Sequence, residues 1–217
     1  RSLNLPAGSI IRTDNTVLAE NGGQLGLPGN RRISLPKGCV IRTDNSILLE
    51  KEGSIRLPKY RLLKLPAGSI VQANYAVLVQ NGGKVCLPNG RNLNLPSGSV
   101  INTDDTVLVE NGGQTVLPDG RSLNLPAGSI IRTDNTVLVQ NEGELVLSDG
   151  KILTLSSGSV INTDNTITLE SGLDVSLPDG KSLSFSGRSK VNLNDNTILL
   201  ENGGEISLKS LEEPTLK

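Results

Sequence analysis

Five aspartates, Asp14, Asp44, Asp104, Asp134 and Asp164, share one position of a thirty-residue pattern, with Asn74 at that position in the third copy. Carboxylates stacked at strand spacing could hold Ca²⁺. The nine-residue glycine and aspartate pattern of Ca²⁺-binding β-rolls is missing, however, so these residues read as turn formers. A second column is basic: Arg1, Arg31, Arg61, Arg91, Arg121, Lys151 and Lys181. Like charges about 4.8 Å apart cost on the order of 1 kcal/mol per pair in water. Asp119, Asp149 and Asp179, each two residues ahead of a base, offset this, and the column reads as a solvated charge ladder. Cys39 and Cys86 fall at non-equivalent positions, so each is expected to be a lone thiol packing as a small hydrophobe. There is no His, and no carboxylate forms a unique pair. The expectation is no catalytic residue, no metal, no cofactor and no enzyme.

The thirty-residue pattern supplies everything that could position these groups. It starts at Arg1, Arg31, Arg61, Arg91, Arg121, Lys151 and Lys181, giving copies 1–30, 31–60, 61–90, 91–120, 121–150, 151–180 and 181–210, and leaving a tail at 211–217. Residues 1–18 and 121–138 are identical. A repeat of this reach leaves no room for a separate globular domain, so residues 1–210 are expected to form a single elongated repeat domain. Arg1 already stands in repeat phase, which suggests a processed piece or a part of something longer.

Each copy alternates apolar and polar residues in four short runs, such as Leu123 and Leu125, Ile131 and Thr133, Val137 and Val139, and Leu145 and Leu147. Period two means strand. Pro126-Ala127-Gly128, Asp134-Asn135, Asn141-Glu142-Gly143 and Ser148-Asp149-Gly150 separate the runs as turns. Repeat positions 3, 5, 11, 17, 19, 25 and 27 are apolar in nearly every copy and should face the core, with Thr115 the polar lapse. The expected fold is all-β: a parallel β-solenoid, or β-helix, of seven thirty-residue repeats with about four short strands each, equivalent positions stacking in register. A fifteen-residue coil is the alternative, since an offset of fourteen maps positions 3, 5, 11 and 13 onto 17, 19, 25 and 27. Thirty is preferred because positions 10 and 18 stay uniform only at that spacing.

Those two positions carry the candidate assembly surface: Ile10, Val40, Ile70, Val100, Ile130 and Val160, and Leu18, Leu48, Leu78, Leu108 and Leu138. They form two apolar stripes, either on the outside and available to a neighbouring molecule or folded partly into the core at a corner. The first coil has no device to blunt its edge, whereas Pro214 in the tail could hinder pairing at the other end. Head-to-tail self-association into a filament follows, with lateral contacts through the stripes. Asn4→Pro is the substitution expected to remove an edge donor.

Lys plus Arg is 21 against 22 for Asp plus Glu, so no basic footprint points to nucleic acid. No apolar run approaches the roughly 20 residues of a membrane span, and no membrane insertion is expected. The leucine ladders, glycine corners and turn asparagines resemble, at the level of architecture, the β-solenoid repeats of bacterial surface and secreted proteins, the adhesin and fibre-shaft class. That resemblance implies an extracellular or cell-surface structural protein whose partner is itself. A binding module for a repetitive ligand, a glycan or ice, is the alternative.

Overall fold

The computed structural model describes residues 3–27, 31–147 and 149–209. The fold is all-β, and the period-two runs are strands, but their pairing is antiparallel throughout. The expected parallel solenoid does not form, and residue n pairs with neither n+30 nor n+15. Val17 pairs with Ile41, Ala19 with Cys39, Gly23 with Leu35 and Leu27 with Arg31, all in one unbroken register. Residues 17–27 and 31–41 are thus two arms of one long hairpin, bent in the middle. The next hairpin repeats this, with Ile47 opposite Val71 and Gly53 opposite Leu65. A thirty-residue copy is therefore one arm running out and one returning, which is why its two halves look alike.

The reason for the reversal lies in the turns. Positions 12–16 form a tight loop in which Arg42 N–H donates to Ser46 O at 2.8 Å, with Asn45 at φ 65°. At the other reversal Leu87 N–H donates to Arg91 O at 2.8 Å around Pro88, Asn89 and Gly90, and the last two have φ of 66° and 75°. Turns this short, with one or two left-handed residues, send the chain straight back along itself. The Pro-Ala-Gly and Asn-Gly-Gly segments, by contrast, bend an arm without reversing it. Gly82 at φ 69° packs so closely that a Cβ there would sit 2.8 Å from Leu95 O. The ladder continues across the bend through Gly98 N–H to Val79 O at 3.0 Å.

Bending every arm splits the meander into two sheets whose apolar faces turn toward each other. The chain divides into two compact units, residues 1–122 and 123–217. In the first unit, one sheet runs Ser9–Ile11, Val17–Ala19, Cys39–Ile41, Ile47–Leu49, Ser69–Val71, Val77–Val79, Ser99–Ile101 and Val107–Val109. The second sheet holds Gly23–Leu27, Arg31–Leu35, Gly53–Arg56, Leu62–Leu65, Gly83–Cys86, Asn92–Leu95 and Gly113–Val116. In the second unit the corresponding sheets run from Ser129–Ile131 to Glu205–Ser207, and from Gly143–Val146 to Ser182–Phe185. The strand Ser122–Leu125 spans the boundary. The core is the expected set of positions: Ile33, Leu35, Ile41, Ile47, Leu49, Ile55 and Leu57 are all buried, and so are most of their counterparts. Serine at position 9 joins them, an addition that polarity concealed. Ser69, Ser99 and Ser129 are fully buried because each hydroxyl donates to the carbonyl three residues back, at 2.8, 2.8 and 2.7 Å.

Candidate assembly surfaces

The two predicted stripes are one stripe. Antiparallel pairing sets Ile10 opposite Leu18, Leu18 opposite Val40, Val40 opposite Leu48 and Leu48 opposite Ile70. It continues through Leu78, Val100 and Leu108, so one apolar row crosses every strand of the first unit's first sheet on its outer face. In the second unit Ile130, Leu138 and Val160 repeat it, before Thr168 and Lys190 turn the row polar. None of the eleven sits in the core between the sheets. Ile10 is exposed, Leu18, Leu48, Ile70, Leu78, Val100, Leu108, Ile130, Leu138 and Val160 are half-buried, and Val40 alone is only 4% exposed. Arg12, in the turn after Ser9–Ile11, and Glu50, just past Ile47–Leu49, meet at 3.8 Å.

The first edge strand shows the sharpest departure from the pattern. Ile11 is 70% exposed, although its equivalents Ile41, Ile101 and Ile131 are at 3% or less. Ile131 lies in the identical eighteen-residue stretch, so the sequence is that of an interior arm and only its surroundings differ. Leu5 and Ile10 are also exposed, and Leu3, Leu25, Leu27 and Ile33 line a cleft of about 230 Å³ together with Arg31 and Tyr75. Arg12 N–H donates to Thr16 O, so in the alternating pattern Ile10 bonds toward Leu18 while the N–H and C=O of Ile11 face the open edge. Asn4 is not that donor, contrary to expectation: its N–H is taken by Gly26 O at 3.1 Å.

At the other end the regular bending stops. Thr197–Leu200 turns back within its own sheet and pairs with Glu205–Ser207, with Thr197 opposite Ser207, instead of crossing to the second sheet. The second sheet therefore finishes on Ser182–Phe185. The tail at 211–217, expected to blunt this edge, lies outside the described residues.

The basic column is not a solvated ladder in its middle. It rises from the turns of the second sheet and reaches across to the turns of the first, closing the seam between them. Arg61 is buried, donating through Nε and Nη2 to Asp105 Oδ1 at 2.9 and 2.6 Å, through Nη2 to Asn102 O at 2.8 Å and through Nη1 to Tyr75 O at 3.3 Å. Arg91 donates to Asp105 O at 3.1 Å. Lys151, 1% exposed, bonds Asp149 Oδ2 at 2.8 Å, and Arg121 bonds Asp119 Oδ2 at 2.8 Å. Burial here is tolerable because each cation is matched by a carboxylate or by turn carbonyls. The ends stay open: Arg31 is exposed with its guanidinium 5.5 Å from the ring centre of Tyr75, and Lys181 is exposed beside Asp179. The singular tyrosine thus stands where Asp105 stands one copy later, each facing the base of the preceding copy.

The aspartate column does turn work. Asp14, Asp104, Asp134 and Asp164 each accept from the backbone N–H and the hydroxyl of the threonine two residues on, at 2.6 to 3.1 Å. Those bonds hold the carboxyls below the usual range; the Thr16, Thr106 and Thr166 hydroxyls contribute most at Asp14, Asp104 and Asp164, and the Thr136 N–H most at Asp134. Cys39 is buried and Cys86 partly so, both as free thiols. Burial, then the charge of Glu50, pushes the Cys39 thiol up to about 12, far from a nucleophile's range.

No family model matches the chain, and no curated protein does. Among solved structures it is similar to the wild-type TCP10 domain of Danio rerio CPAP, at 14% identity over 91% of this chain and 96% of that one, with a TM-score of 0.25. A streptogramin B lyase structure is similar at 12% identity over 93% and 82% of the two chains, with a TM-score of 0.22. The SAS-4 TCP domain of Drosophila melanogaster, in complex with a proline-rich motif of Ana2, is similar at 15% identity over 68% and 88%, with a TM-score of 0.18. Likeness at this level carries no family and no activity across to this chain.

Proposed function

We propose that the chain is a non-catalytic structural protein that associates with itself end to end, with the outer stripe as a second, lateral contact. The observation that carries this is Ile11: a core residue of an interior-type arm, left 70% exposed with its backbone donor and acceptor facing outward. Unblunted edges of this kind are templates for a further strand. Charge supports a second copy as the source of that strand. Residues 1–122 carry 14 Lys and Arg against 9 Asp and Glu, and residues 123–217 carry 7 against 13, so the first unit of one copy attracts the second unit of another.

The test is sedimentation of the parent chain over a concentration series beside Ile11→Lys. Ile11 is largely exposed, so the lysine leaves the fold intact while placing a charge where a strand would add. Growth of the parent with concentration, and its loss in the variant, is the expected result. A parent that stays monomeric throughout, or a variant that assembles equally well, sinks the reading.

A further inference from the structure

We propose that the outer face of the first unit's second sheet binds an extended acidic polypeptide along a diagonal line of four cations, Arg32, Arg56, Lys64 and Lys84. The line follows from the register. Ser34 lies opposite Arg56, which sets Arg32 two residues toward the turns. Arg56 lies opposite Leu62 and Ser54 opposite Lys64, which sets Lys64 two residues toward the bend. Lys64 lies opposite Cys86, and Lys84 is two residues further in the same direction. Four consecutive strands therefore each advance one exposed base by two residues, and diagonal neighbours of this kind stand about 7–8 Å apart.

This spacing identifies the occupant. In an extended chain the side chains on one face recur about every 6.8 Å, twice the rise of a strand residue, so a segment with Glu or Asp at every second position meets each cation in turn. None of the seven second-sheet strands of the first unit contains an acidic residue. The nearest, Glu52, stands just before Gly53 and meets Lys64 at 3.0 Å, with both side chains more than half exposed and free to exchange. Beside the line Leu62 is 47% exposed and Tyr60, on the adjoining turn, is 91% exposed, which gives the methylene stems of the acidic side chains apolar surface to lie against. The corresponding second-unit strands carry Glu144 and Asp174 and no base, so the cationic line belongs to the first unit alone.

Fluorescence polarisation with a labelled peptide of four Glu-Ser pairs tests this at low salt. Its comparators are a peptide of four Glu followed by four Ser and an oligothymidine of eight nucleotides. The alternating peptide should bind at least about fivefold more tightly than the block peptide, and Arg56→Ser with Lys64→Ser should weaken it about tenfold, as loss of two partly exposed charge pairs implies. All four bases are exposed, and circular dichroism of the double variant checks that the fold is kept. Equal binding of alternating and block peptides, no loss in the double variant, or tighter binding of the oligonucleotide would overturn the proposal.

Discussion

At the scale of single residues, the core contains one misfit whose removal should help. Thr115 is fully buried, and its hydroxyl meets no hydrogen-bond partner among the described residues, where the equivalent positions hold Leu25, Ile55, Val85, Leu145 and Val175. Thr115→Val keeps the shape and removes the unsatisfied group, so urea unfolding should show a gain of about 1–2 kcal/mol. Arg61 makes the opposite case. Asp105→Asn leaves a buried guanidinium with carbonyl partners only and should cost about 2–3 kcal/mol, even though Asn is what most other copies carry at that position. The turn aspartates set an acid limit. Their folded carboxyls titrate below the unfolded value, so the stability they lend is complete above about pH 4 and fades as pH falls through the lower folded range. Asp134→Asn, imitating Asn74, should flatten part of the fall in an acid titration followed by circular dichroism, with little change at neutral pH.

At the scale of elements, the strands and their buried faces could be read from alternation alone, whereas the direction of Ile10 and Leu18 stayed open between the outside and a corner of the core. Pairing direction could not be read that way, because a period of two is the same for parallel and antiparallel neighbours. The information lay in Asn89-Gly90, Asp119-Gly120, Asp149-Gly150 and Asp179-Gly180, two-residue signals that favour reversal over a corner. Four turn segments per copy looked equivalent, whereas two reverse the chain and two only bend an arm, a difference set by backbone angles and close packing. The likeness to surface solenoids rested on leucine ladders, glycine corners and turn asparagines, which an antiparallel meander carries equally well. The buried seam escaped notice because the partners of Arg61 and Arg91 lie from 14 to 44 residues away. The bends themselves make a test. Gly82→Ala, with positive φ and backbone 2.8 Å from the new Cβ, should cost well over 1 kcal/mol, while Gly120→Ala, at φ 88° with open space around it, should cost only the conformational strain of about 1–2 kcal/mol. Comparable losses at both sites would refute the packing account of the bend.

At the scale of the whole molecule, the uneven distribution of charge governs how copies meet. Raising sodium chloride from about 0.05 M to about 0.5 M shortens the screening length severalfold and should lower the weight-average mass at fixed concentration, because it screens the attraction between the basic first unit of one copy and the acidic second unit of another. The seam has a further consequence for a chain built of near-copies. Eighteen residues recur unchanged a hundred and twenty positions apart, so nothing in strand propensity or apolar pattern prevents an arm from docking one unit too far along during folding. Such a slip would set Arg61 against Asn135 in place of Asp105, and Arg31 against Asp105 in place of Tyr75, so the carboxylate would pass from a buried guanidinium to an exposed one and the aromatic ring would lose its cation. The seam residues thus act as page numbers in a book of similar pages: they tell each unit which neighbour is its own.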